Sequence, residues 1–389
     1  MAPKSVYSRR RFVGVMGGGS VLSLAGPLLH PIAAWAAAPS PLIRFAYVAC
    51  NGDSGGAIDV FRVPARGAWK LVQSVATSAP SSLAVTNDTR TLFVANRVSR
   101  YLNRPAGSVE SYRIDQLTGK LQPISQRSLA LSAVNPEHVA ISPDGRFLVV
   151  CASGGGAYNL LPIHADGSLG EVAILRKETG SSVDPVWQSS SRPQQAVFDE
   201  RGRILASDLG ADRLSVFEIR QDELAVVDRH STRAGRGPSA MQLHPGLSVL
   251  FAAGALDGTV AAHPYDQTRG TFLARTAVSR AAPLIPAARV STLAVHPSGE
   301  LVAAGWSNGE RHGISIVRFD RSAFSFGTAQ AVETTDATAS VQFTHGGDRL
   351  IAANSKSGVV SAFDVDASGQ LQRNAELARC EGPRAISFI

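Results

Sequence analysis

Cysteine is scarce in this 389-residue chain, with three copies and none in a CxxC or CxxCH arrangement. The usual thiolate-metal and haem-attachment signals are therefore missing. The nine histidines are scattered, without HExxH or a close cluster. No metal or cofactor is expected. Basic runs are equally sparse. Of the net charge of +7, four positive charges (Lys4, Arg9, Arg10, Arg11) fall in the first 36 residues, which contain no Asp or Glu, and the rest carries only +3. A nucleic-acid partner is not indicated. Long apolar runs are absent too. The best candidate, residues 14–29, is diluted by Gly17, Gly18, Gly19 and Gly26, so it falls short of the roughly 18 clean apolar residues of a membrane span. No segment sustains an amphipathic helical period.

The chain does have a globular composition, 44% hydrophobic and 18% charged, with 36 glycines and 21 prolines. Such Gly and Pro content suits turn-dense β structure. At the N-terminus, Ser8-Arg9-Arg10-Arg11-Phe12-Val13 precedes the weakly apolar stretch, Pro31 breaks it, and Ala34-Trp35-Ala36 offers a small-x-small cleavage site. This reads as a twin-arginine export signal over residues 1–36, removed to leave a single domain over 37–389 without stable membrane insertion. A periplasmic location follows.

Self-comparison exposes a repeat. Its clearest copy is Pro136-Glu137-His138-Val139-Ala140-Ile141, then the turn Ser142-Pro143-Asp144-Gly145-Arg146, then Phe147-Leu148-Val149-Val150. Further copies begin at Pro80, Pro193, Pro238, Val290, Thr338 and Pro383, at spacings of 45 to 57 residues. That period is near the roughly 40–50 residues of a four-stranded propeller blade. Continuous apolar runs such as Leu92-Phe93-Val94-Ala95 suit strands covered on both faces. Mixed runs such as Ser215-Val216-Phe217-Glu218-Ile219 suit strands farther from the axis. The predicted fold is an all-β, seven-bladed propeller of four-stranded antiparallel blades.

Its ends complement each other. Arg44-Phe45-Ala46-Tyr47-Val48 aligns with a second strand, and Pro383 to Ile389 aligns with a first strand. The C-terminal strand is therefore expected to pair into the first blade and close the ring. Cys50 ends the second strand of that composite blade, and Cys380 lies three residues before its first strand. Antiparallel pairing places both at one rim, so a Cys50–Cys380 disulfide is expected, with Cys151 left as a core thiol.

With the repeats aligned, the chain resembles the bacterial β-propeller lactonases, a family that includes 6-phosphogluconolactonase and the fungal muconate cycloisomerases. The resemblance rests on residues 136–148, Gly154-Gly155-Gly156, Asp166-Gly167-Ser168-Leu169-Gly170, and Asp208-Leu209-Gly210-Ala211-Asp212-Arg213-Leu214 in order. It implies a site where first strands begin and second strands end, with His, Glu and Arg as its chemistry. Glu137, His138 and Arg384 are the expected catalytic residues. Arg97, Gln194, Gln195, Asp208, Arg236 and Trp306 are the expected ligand-binding residues. Several family positions are replaced here: Pro193-Gln194-Gln195 stands where a Pro-His-x-His is typical, and Gly235-Arg236-Gly237-Pro238-Ser239-Ala240 lacks an Arg and a His. Two functions follow. One is a lactonase-type hydrolase opening a sugar lactone or related cyclic ester. The other is a non-catalytic propeller that binds a small molecule or a protein partner.

Overall fold

A computed structural model describes residues 44–389, apart from residues 54, 283, 284 and 367. The expected export signal lies outside the described residues. Within them the regular structure is all strand, arranged as seven antiparallel sheets, and no helix is long and apolar enough to cross a membrane. This is the predicted seven-bladed propeller. Blade one combines Pro383–Phe388 with Phe45–Gly52, Gly55–Arg62 and Lys70–Thr77. Blade two runs from Pro80–Val85 to Leu121–Ser128, blade three from Val134–Ile141 to Ile174–Lys177, and blade four from Pro193–Phe198 to Glu223–Ser231. Blades five, six and seven begin with Pro238–Leu243, Arg289–Val295 and Thr338–Phe343. In blades five and six the outer edge is split: the third strand pairs with a two-residue piece and then with a four-residue one.

The closing strand pairs Ala46 with Phe388 and Val48 with Ile386, and the Arg44 amide donates to the Ile389 carbonyl at 2.7 Å. Closure by the C-terminal strand thus holds as expected, and it supplies the inner partner of Phe45–Gly52.

The apolar side chains form seven clusters, each spanning one blade–blade interface. This explains the continuous apolar second strands. Thr91–Asn96 and Val249–Gly254 are buried at every position, because a neighbouring blade covers each face. The third strands differ from expectation. Val359–Val365 is buried over its first five residues, while the outermost strands open to solvent, as Leu121–Ser128 does after its first residue. Neighbouring blades overlap far enough outward to cover three strands. The hairpin between first and second strands turns at residues such as Gly145, whose φ of 71° is the left-handed region a side chain resists.

Candidate functional site

One repeated defect builds the site. A residue at or within two positions of the start of each first strand is followed by a register shift: Pro80/Ser82, Pro136/His138, Pro193/Gln195, Pro238/Met241, Val290/Thr292 and Thr338/Ser340. In blade one the partner strand shifts between Ala49 and Cys50, skipping Arg384. Proline has no N–H to offer the ladder, so a bulge is the natural accommodation, and bulges re-aim side chains. The skipped residues Ser81, Glu137, Gln194, Ser239, Ser291, Ala339 and Arg384 all line the central channel, a cavity of about 1190 Å³. The rest of the wall mixes apolar groups such as Leu83, Leu293 and Ile386 with polar ones such as Gln242, Ser340 and Gln342.

Most of this ring is occupied with structure. Ser81 Oγ donates to the Pro136 carbonyl at 2.8 Å, Ser291 Oγ donates to the Thr338 carbonyl at 2.7 Å, and Gln194 Nε2 reaches the Arg192 carbonyl at 3.3 Å. The charged members are Glu137 and Arg384. Glu137 accepts from Arg97 Nε at 3.0 Å and from Ser153 Oγ at 2.8 Å. Glu137 is also the one carboxylate among the described residues lining the channel. Arg384 is exposed. Arg97, Glu137 and Arg384, picked from sequence, therefore share one mouth.

His138 also lines the channel. Its Nδ1 is buried and has no hydrogen-bond partner among the described residues. Desolvation lowers its pKa to about 4, because burial penalises the charged imidazolium. The ring is therefore neutral near pH 7. It has no acid proton to give, and as a base it is weaker than the expectation required.

Other expected ligand groups have different work. Gln195 clasps the next blade, donating to the Met241 carbonyl at 2.8 Å and accepting from the Met241 amide at 2.9 Å. Asp208 is 1% exposed; it accepts from Ser191 Oγ, the Arg192 amide and Arg213, and so braces a loop. Arg236 is buried beside Asp257 at 3.3 Å, away from the channel lining. Trp306 corrects the sequence reading most clearly. It is fully buried in the interface of blades five and six, with its Nε1 donating to Ser315 Oγ at 2.9 Å. A stacking role at the mouth is not available to it.

The aromatic at the mouth is Trp187, which sequence reasoning missed. It lines the channel with Arg192, and the guanidiniums of Arg192 and Arg289 lie 4.9 and 5.6 Å from its ring centre. Trp187 sits in the irregular stretch between blades three and four. That stretch is held by Asp184, which caps the Val186 and Trp187 amides, and by the fully buried Gln188, which donates to the Leu209 carbonyl. The available signal was its length, since long structured loops often carry function. Arg97, Arg192 and Arg384 in the lining, with Arg289 against Trp187, give the mouth a positive balance suited to a carboxylate or phosphate.

For metal ligation, Cys50, Asp59 and Cys380 bring their ligand atoms within 4.8 Å of one another. Cys50 and Asp59 are nine residues apart, but Cys380 lies more than three hundred positions further on, so motif spacing does not reveal the set.

Comparison with known proteins agrees with the fold. A curated 6-phosphogluconolactonase from Pectobacterium carotovorum is 28% identical over 340 residues, covering 85% of this chain and 95% of the relative. The solved periplasmic gluconolactonase of Pseudomonas aeruginosa is 26% identical with a TM-score of 0.78, covering 90% of this chain and 99% of that one. A putative 6-phosphogluconolactonase from Bacteroides fragilis shares the fold at a TM-score of 0.79 and 20% identity, covering 89% and 97% of the two chains. Residues 45–388 match the family described as lactonase, 7-bladed beta-propeller, and the chain belongs to that family.

Proposed function

We propose that the channel mouth binds a small sugar lactone or related cyclic ester and opens its ring with water. The observation that carries this reading is the placement of Glu137 and Arg384 at bulge positions of one mouth, with Arg97 on the Glu137 carboxylate at 3.0 Å. Glu137 takes a proton from water as the oxygen attacks the lactone carbonyl carbon. Arg384 stabilises the negative charge that develops on the carbonyl oxygen. The ring C–O bond then breaks, and the leaving alkoxide recovers the proton from Glu137, giving a hydroxy acid. Arg192 and Arg289, stacked on Trp187, hold an anionic substituent of the substrate. The twin-arginine sequence at Arg9-Arg10 supports action in the periplasm, and the periplasmic gluconolactonase neighbour is in keeping with this.

Hydrolysis of a panel of sugar lactones and muconolactones by the purified mature protein tests this reading. Turnover that disappears in both Glu137→Gln and Arg384→Ala supports it. A second reading, a binding module without turnover, draws on the fact that Glu137 is the one channel carboxylate among the described residues. Hydrolysis unaffected by Glu137→Gln removes the proposed mechanism. Stoichiometric lactone binding without turnover favours the binding module.

A further inference from the structure

The ring's closure carries a thiol pair that the channel chemistry does not use. Cys50 is 3% exposed, in the second strand of blade one. Cys380 is half-buried, just before the closing strand. Both sulfurs lie with the Asp59 carboxylate inside a 4.8 Å cluster. The surrounding backbone holds them in place. Cys50 pairs with Pro383, the Asn51 amide donates to the Gly382 carbonyl at 2.9 Å, and a Cβ on Gly382 would come 2.2 Å from the Asn51 carbonyl oxygen. Segments packed this closely cannot drift apart without opening the ring.

The chemistry of the pair favours a covalent outcome. The Cys50 thiol is pushed well above its ordinary range by its hydrogen bond to Cys380, by burial, and by the Asp59 charge. A buried thiol set against a second sulfur and a carboxylate disfavours the Cys50 thiolate. A sulfur–sulfur bond removes both ionisable groups at once.

We propose that Cys50 and Cys380 form an intrachain disulfide that clasps the ring at its closure. The more exposed Cys380, as thiolate, attacks one sulfur of an external disulfide and releases the first thiol of that oxidant. Cys50 gives its proton to Asp59, whose Oδ2 lies 3.7 Å from Cys50 Sγ. The Cys50 thiolate then attacks Cys380 Sγ, and the S–S bond forms as the second thiol leaves. Two electrons and two protons pass to the external disulfide, which departs as two thiols. Arg384 is four residues beyond Cys380, so the clasp also anchors the segment that carries a mouth arginine.

To test this, the protein is purified without reductant, incubated with oxidised glutathione, alkylated with iodoacetamide in urea, digested and analysed by mass spectrometry. The expected result is a Cys50 peptide linked to a Cys380 peptide, with Cys151 alone alkylated. The oxidised protein unfolds at higher urea than the reduced one, and this gap closes in Cys380→Ser and in Cys50→Ala. Alkylation of all three cysteines overturns the proposal, as does a link involving Cys151. So does stoichiometric zinc or copper(I) whose chelation frees both thiols. The peptide map does not depend on either variant folding, nor on any lactone being hydrolysed.

Discussion

Two charge-rich regions lie close to the channel mouth and use their charges differently. At blade four, Glu178 is 2% exposed at its side chain and receives Arg176, Arg213 and Arg229 at 2.7, 2.9 and 3.0 Å. Arg213 continues to Asp208, whose remaining valences go to Ser191 and the Arg192 amide. At blades one to three, the carboxylate of Glu137 has a single arginine, itself half-exposed, and Arg384 opens to solvent. The first network is closed around two buried carboxylates, with Arg229 at its half-exposed rim. The second keeps donors and an acceptor turned to the cavity. Charge density alone does not mark a site; incomplete pairing at a concave surface does.

The sharpest break in this contrast is expected from Glu178→Ala. It leaves the mostly buried Arg213 without one of its two carboxylates, while Arg176 and Arg229 can turn to water, and it costs about 3 kcal/mol of stability. Urea unfolding measures it, and an unchanged midpoint would show the network to be ornamental. Next comes an acid limb. Burial depresses His138 to about 4 from an ordinary 6.5, so the unfolded chain binds the extra proton first. Stability is full above pH 6.5 and falls as pH drops from there toward 4, by about 3 kcal/mol for the whole window. His138→Gln should flatten that limb in a series of denaturation curves. An identical limb in the variant contradicts a buried neutral imidazole.

At the open mouth the effects move to chemistry. Glu137→Gln is expected to lower kcat for lactone hydrolysis about a hundredfold, roughly 2.7 kcal/mol, with the urea midpoint nearly unmoved. A matching loss of stability would place Glu137 with the closed network instead. The smallest effect is expected at Trp187→Ala. Releasing Arg192 and Arg289 should raise KM for anionic lactones severalfold, about 1 kcal/mol, while neutral lactones change little. Equal changes for both classes would deny the loop its selective role.

The fold was largely legible because its signal is periodic. The starts at Pro80, Pro193, Pro238, Thr338 and Pro383 are the first residues of first strands in the structure. The bulge after each start was not legible, although it decides which side chain enters the channel. Glu137 and Arg384 were found because they sit beside a repeated residue. Trp306 was misplaced because it sits near the end of a second strand, where a shift of one position separates channel from interface. Gln195 looked like a free amide, yet its partner is the backbone of the next blade, 46 residues on. Trp187 belongs to no repeat, and only the packing of its loop brings it to the mouth.

The hydrogen bond between Arg44 and Ile389 has a consequence for how the chain can be rewired. Residues 44 and 389 are neighbours in space, so a short linker could join them, and a cut could be made in any connection between blades. The seam would then move to another blade while every ladder and interface stayed the same. In a circular permutant of this kind, Cys50 and Cys380 would lie close in sequence. Their bond would then tie a short loop instead of spanning nearly the whole chain, and most of its entropic leverage on the unfolded state would vanish.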